Sequence, residues 1–230
     1  MDFSGWIKLS LVDYDKHIGT TFFMAGCNFR CPFCHNSELV LPGRDAPTIP
    51  WETMVSYLKK RVGVLDGVCI TGGEPTLMPD LEEKIKEIKA LGYDVKLDTN
   101  GSFPRVIKKL IDKKLVDYIA MDVKNSPRRY NDTIGVDNFQ FEKIKESIEL
   151  IKTLPDHEFR CTMAEELHNE ESIIEMAELL KGCKRFYIQK YVDSVHCIKR
   201  GFTPLSKEKA TTYASLLNEM GIPASLRGYD

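Results

Sequence analysis

No apolar run in the 230 residues approaches the roughly 20 needed for a helix to cross a bilayer, which excludes a membrane-spanning helix. No sign of charge dominates. Against 32 Lys and Arg stand 34 Asp and Glu, a formal net charge of -2, so no broad positive field draws nucleic acid. A charged start followed by an apolar core, the mark of an export signal, is missing; Met1 to Val12 reads as a strand carrying Trp6. The seven cysteines are an odd number and do not make the disulfide framework of a secreted domain. A cytoplasmic, reducing setting is expected. No repeat, low-complexity tract or linker divides the chain, so one domain over residues 1–230 is expected. What is present is an ordinary globular composition, 43% hydrophobic and 29% charged, enough for a sizeable core.

Three cysteines stand together. Gly26-Cys27-Asn28-Phe29-Arg30-Cys31-Pro32-Phe33-Cys34-His35-Asn36 sets Cys27, Cys31 and Cys34 at C-x3-C-x2-C, and no further cysteine occurs before Cys69. Thiolates are soft ligands that select zinc, copper(I) or iron–sulfur clusters. A four-iron cubane held by three of them keeps one iron without a protein ligand, and an open position is what separates a reactive metal site from a structural one. Two other readings stand beside this one: buried thiols, or a closed zinc site completed by His35. Cys69 and Cys161 sit in apolar strand-like runs and read as core. Cys197, beside His196, lies in a loop-like stretch.

Periodicity predicts strands at Gly5 to Val12, Thr20 to Ala25, Gly67 to Thr71, Asp94 to Asp98, Val116 to Val123, Glu158 to Met163 and Arg185 to Tyr191. Helices are predicted at Pro50 to Arg61, Pro79 to Leu91, Pro104 to Lys113, Phe139 to Thr153, Glu170 to Lys181 and Ser206 to Met220, with a last strand near Ala224 to Leu226. Leu41 to Pro47 and Ser126 to Asn131 read as loops. Alternating strand and helix implies parallel strands with right-handed crossovers. Six units are too few for a closed eight-stranded barrel, so the expectation is an α/β fold, an open partial (βα)6 barrel.

Polar residues gather where the predicted strands end, the face that carries chemistry in barrel-type α/β folds. The cysteines follow the strand ending at Ala25. Gly72, Gly73 and Glu74 follow the next, where glycines let backbone approach a ligand closely and a carboxylate accepts from an ammonium group. The plain alternative is a tight turn with Glu74 and Pro75 opening a helical stretch. Asp98, Thr99 and Asn100 close the third strand, and Asp122 and Lys124 close the fourth. Arg160 alternates with Phe159 and Cys161, so its side chain points away from theirs. For Asp98, Asp122, Lys124 and Arg160 the plain alternative is a solvated surface charge.

With Phe33 before the third cysteine, the triplet resembles that of the radical S-adenosylmethionine (SAM) superfamily. That resemblance implies a [4Fe-4S] cluster on Cys27, Cys31 and Cys34, with the amino and carboxylate groups of SAM on the fourth iron. Cys-Pro-Phe-Cys-His-Asn, Gly-Gly-Glu-Pro, Leu-Asp-Thr-Asn-Gly and Met-Asp-Val-Lys together resemble the glycyl-radical-enzyme activases. Within them the likeness is nearest to the activating component of anaerobic ribonucleoside-triphosphate reductase. Gly5 to Ser10, Val12-Asp13-Tyr14 and Leu226-Arg227-Gly228 extend it over nearly the whole chain. Asp15 and Lys16 stand where that family often has Pro-Gly, and the ferredoxin-like insert of many activases is absent.

The resemblance implies an oxidoreductase. An electron from flavodoxin or ferredoxin reduces the cluster, SAM is cleaved to methionine and a 5′-deoxyadenosyl radical, and that radical takes hydrogen from a glycine Cα of the partner reductase. No side chain is needed as acid or base. It also implies roles: the backbone of Phe33 near the adenine, Gly72, Gly73 and Glu74 on the SAM amino group, Lys124 and Arg160 on its carboxylate or ribose. Asp98, Thr99 and Asp122 would take a monovalent cation. The alternatives are a pyruvate formate-lyase type activase, a small-molecule enzyme such as 7-carboxy-7-deazaguanine synthase, or a zinc or electron-transfer module.

Overall fold

The computed structural model describes residues 3–43 and 46–229. Met1 and Asp2 of the stretch Met1 to Val12 read as a strand, and Arg44 and Asp45 of the predicted Leu41 to Pro47 loop, lie outside the described residues. The strands are β1 (Phe3–Ser10), β2 (Gly19–Met24), β3 (Gly67–Gly72), β4 (Asp94–Thr99), β5 (Tyr118–Asp122), β6 (His157–Met163), β7 (Phe186–Lys190) and β8 (Ala224–Arg227). The helices are α1 (Ser37–Val40), α2 (Trp51–Lys59), α3 (Leu81–Ala90), α4 (Pro104–Asp112), α5 (Tyr130–Ile134), α6 (Glu142–Lys152), α7 (Glu170–Leu180) and α8 (Lys207–Glu219). Among the described residues no helix is long and apolar enough to cross a membrane.

The chain forms two compact units: residues to Asn28 with Glu38–Thr99 and Arg105–Ile119, and Phe29–Ser37 with Asn100–Pro104 and everything from Ala120. In the first, β1 runs antiparallel to β2, with Trp6 opposite Phe22. From there the strands are parallel: Phe22 lies beside Ile70 of β3, and Ile70 beside Leu97 of β4. Buried on both faces, such strands read as continuous apolar runs. Phe22, Val68, Ile70, Val95 and Leu97 are fully buried, as are Met54 and Leu58 of α2 and Ile85 and Ile88 of α3. The 3.6-residue spacing of those helix positions is what turns one apolar stripe onto the sheet.

In the second unit β6 and β7 are parallel, Cys161 beside Ile188, and β7 and β8 are parallel, Ile188 beside Leu226. Ile144, Ile148 and Ile151 of α6 and Ile173 and Met176 of α7 are fully buried. Asn169 caps α7 by accepting from the Ser172 amide, while the Ser172 hydroxyl accepts from the Asn169 amide, the reciprocal arrangement that satisfies two end donors. Cys161 and Cys69 are core residues, as predicted, and Cys183 and Cys197 are buried too.

The alternation of strand and helix yields the predicted parallel α/β architecture, with the predicted end strand realised as β8. The differences are short elements. The predicted loop from Ser126 to Asn131 contains a 3-10 turn, Pro127–Arg129, and the start of α5. Elements of three to five residues complete scarcely one helical turn, so they leave no periodic signal. Leu11 and Val12 lie beyond β1, which ends at Ser10; Asp13 there accepts from the Ser10 and Thr21 hydroxyls and turns the chain.

Candidate functional site

In the first unit the Gly72-Gly73-Glu74 stretch packs backbone against backbone. Gly72 has φ +115°, and a Cβ on it would lie 2.4 Å from the Met24 backbone; one on Gly73 would lie 2.0 Å from the Gly26 carbonyl oxygen. No side chain fits at either position. The Gly73 amide donates to the Met24 carbonyl at 2.8 Å and the Glu74 amide to the Gly26 carbonyl at 2.9 Å. The Gly73 and Glu74 amides are thus tied to the strand and turn that lead into Cys27. An ammonium group needs acceptors, which backbone carbonyls and a carboxylate can supply.

Glu74 is fully buried. Its Oε1 accepts from the Thr76 amide at 3.1 Å, from the Thr99 hydroxyl at 2.7 Å and from the Thr76 hydroxyl. A buried carboxylate needs such donors, and hydroxyls and an amide supply them without contributing a counter-charge. Glu74 also caps the 3-10 turn Pro75–Leu77, so the tight turn of the plain alternative is present. Asp98 is ion-paired rather than a solvated strand end: Lys96 Nζ lies 3.3 Å from its Oδ1, donates to the Asp13 carbonyl at 2.5 Å and sits over the Tyr118 ring.

In the second unit Asp122, Lys124 and Arg160 come together. Arg160 Nε donates to Asp122 Oδ1 at 2.8 Å, and Lys124 Nζ lies 3.2 Å from Asp122 Oδ2. Burial alone would raise Asp122, but Arg160 and Lys124 outweigh it and hold the carboxyl well below the usual carboxylate range. Burial alone would lower Lys124; Asp122 and the Cys31 and Cys34 sulfurs outweigh it and hold the ammonium above its ordinary value. Phe159 and Cys161 are fully buried while Arg160 is partly exposed, the alternation its strand position predicts. His168 fixes the backbone here: the Ala164 amide donates to Nδ1 at 3.2 Å, which puts the proton on Nε2, and Nε2–H donates to the Lys124 carbonyl at 3.0 Å.

Phe29–Ser37 of this unit, which carries Cys31 and Cys34, is anchored on both sides. Phe29 packs edge-on to Phe139, ring centroids 5.1 Å apart, and Arg30 N donates to the Ile134 carbonyl at 2.8 Å. Gly135, at φ +64°, ends α5 where a Cβ would lie 2.5 Å from the Arg30 carbonyl oxygen. From the other side, Lys199 N donates to Pro32 O at 2.7 Å, Ile198 N to Cys34 O at 3.1 Å and Ser37 N to His196 O at 3.2 Å. Cys31 and Phe33 are buried, and Cys27 and Cys34 are partly exposed.

The donor set suits an iron–sulfur cluster. Three soft thiols stand at the predicted spacing, two of them with an ammonium group nearby. Among the described residues no three His, Cys, Asp or Glu side chains converge as they would on a single metal ion.

Comparison with known proteins agrees with this chemistry. The model of the Radical SAM superfamily matches residues 21–180, and the chain belongs to that superfamily. Membership implies a [4Fe-4S] cluster and SAM. A Methanocaldococcus jannaschii protein, MJ1227, with the provisional name glycyl-radical enzyme activating enzyme, is 35% identical over 82% of this chain and 79% of its own. A Thermococcus kodakarensis protein with the provisional name GTP 3′,8-cyclase is 30% identical over 66% of this chain, which spans about half of it, 49%. The 7-carboxy-7-deazaguanine synthase of the same organism is 26% identical over 72% of this chain and 71% of its own. Streptococcus suis SuiB, solved bound to S-adenosylmethionine, shares the fold: TM-score 0.67 at 16% identity over 89% of this chain and 49% of SuiB.

Sequence reasoning missed Lys96, Glu158, His168 and Arg227. Lys96 carried a signal, since it lies two residues before Asp98 on the same strand face. The others meet partners far along the chain, beyond the reach of local spacing.

Proposed function

We propose that this chain is a glycyl-radical-enzyme activase whose partner is an anaerobic ribonucleoside-triphosphate reductase. The observation that carries the activase reading is the 35% identity to MJ1227 over most of both chains, joined to Cys-His-Asn and Asp-Thr-Asn-Gly in one sequence. Cys27, Cys31 and Cys34 hold the cluster. When bound, the cluster and SAM supply a one-electron cleavage that yields methionine and a 5′-deoxyadenosyl radical, which takes hydrogen from a glycine Cα; flavodoxin or ferredoxin supplies the electron.

This chain's own residues bind and orient. Glu74, with the Gly72 and Gly73 backbone, accepts from the SAM ammonium. Lys124 and Arg160 address its carboxylate or ribose, and the Phe33 backbone borders the adenine. Asp98, Thr99 and Asp122 serve a monovalent cation. The chain works as one radical SAM domain without a ferredoxin-like insert, and as an oxidoreductase.

The similarity to 7-carboxy-7-deazaguanine synthase supports a second reading, a small-molecule substrate. Reduced, reconstituted protein incubated with SAM and the reductase separates the two. A glycyl radical signal in electron paramagnetic resonance supports the activase. SAM cleavage with no such signal, alongside turnover of a pterin substrate, supports the second reading.

A further inference from the structure

Two charged residues of the second unit have no role so far, Glu158 and Arg227. Glu158 is 2% exposed, and a buried carboxylate stands only where charged or polar partners meet it. Arg227 meets both of its oxygens, Nη1 to Oε1 at 3.1 Å and Nη2 to Oε2 at 3.3 Å, the two-pronged geometry of a guanidinium on a carboxylate. Arg227 in turn lies over the Tyr187 ring, 3.8 Å from its centroid, a cation–aromatic contact that fixes its plane.

On β6, Glu158 is two residues from Arg160 and shares its strand face. Arg160 Nη1 lies 3.8 Å from Glu158 Oε1, while Arg160 Nε donates to Asp122. One guanidinium is thus drawn by two carboxylates at two of its nitrogens. Arginine has many rotamers, and ordering it before a ligand arrives removes that cost from binding.

We propose that Glu158 and Arg227 are positioning residues for Arg160: they hold its guanidinium in the orientation that grips the carboxylate of an amino-acid-type ligand, the methionine end of SAM. This rests on the SAM role assigned above to Lys124 and Arg160. A merely structural pair would alter stability and leave ligand preference untouched.

The test compares affinity for SAM with affinity for decarboxylated SAM, by calorimetric titration of anoxically reconstituted protein. Wild type is expected to prefer SAM by about tenfold or more, the scale of one charged hydrogen bond. Two variants are compared with it. Glu158→Gln combined with Arg227→Met removes both charges, so neither is left buried alone. Arg227→Lys keeps the charge and loses the fork. The double variant is expected to lower the preference to about twofold, with Arg227→Lys in between. If the double variant fails to fold, Arg227→Lys carries the test by the same criterion. Wild-type preference retained in the variants overturns the positioning role alone. A wild type indifferent to the carboxylate overturns the role of Lys124 and Arg160, and this inference with it.

Discussion

Glu74 in the first unit and Asp122 in the second are both carboxylates at strand ends, and they are stabilised in different ways. Glu74 accepts at one oxygen from two threonine hydroxyls and an amide, donors that are themselves neutral. Asp122 is met by a lysine and an arginine, so its charge serves to fix two cations. Under the function proposed above, the first arrangement serves an ammonium group and the two cations of the second serve a carboxylate. On that proposal the difference also separates binding from stability: removing Glu74's charge would remove a binding partner, whereas removing Asp122's charge strands two cations.

The largest expected effect spans both environments. Cys31→Ala should lose iron and all SAM cleavage, read by iron content and by 5′-deoxyadenosine release, because neither the Glu74 nor the Asp122 arrangement can act without the iron–sulfur cluster. Next, Glu74→Gln and Asp122→Asn should part company. Asp122→Asn is expected to lower unfolding stability by about 3 kcal/mol, the scale of breaking a largely buried ion pair, read by urea denaturation. Glu74→Gln is expected to weaken SAM binding by about tenfold to a hundredfold, the scale of a hydrogen bond to a charged group, with a smaller effect on stability. Equal stability losses would remove the distinction.

A pH dependence should come from the second unit. Burial lowers His168 from 6.5 to about 4, so between those values the unfolded chain binds the proton that the folded protein refuses. Stability should therefore be unaffected by His168 above pH 6.5, fall as pH drops through that window, and level off below about 4, losing roughly 3 kcal/mol in all at about 1.4 kcal/mol per unit. His168→Gln should flatten that part of a melting-temperature profile. The smallest effect belongs to the first unit: Thr99→Val removes one hydroxyl from Glu74 and should cost about 1–2 kcal/mol, read by thermal unfolding.

How much of this was legible in the sequence follows from distance along the chain. The cysteine spacing and Gly-Gly-Glu lie within a few residues, and the parallel α/β order follows from apolar runs such as Val68-Cys69-Ile70 alternating with the Leu81, Ile85, Ile88 stripe. Why Gly73 must be glycine was not legible, because the obstruction is Gly26, far back in the chain. Nor was the bond from His168 to Lys124, or the grip of Arg227 on Glu158: each needs the fold before the partners meet. Tyr130–Ile134 was missed because five residues make little more than one helical turn, and only Gly135 at its end hinted at a stop.

On the proposed function, Cys27, Cys31 and Cys34 hold a cluster whose remaining iron takes up SAM. The direct measurement is the electron paramagnetic resonance spectrum of the reduced, anoxically reconstituted protein before and after adding SAM. A reduced-cluster signal that changes shape with SAM is the predicted result. An iron-loaded protein whose signal is the same with and without SAM would contradict it.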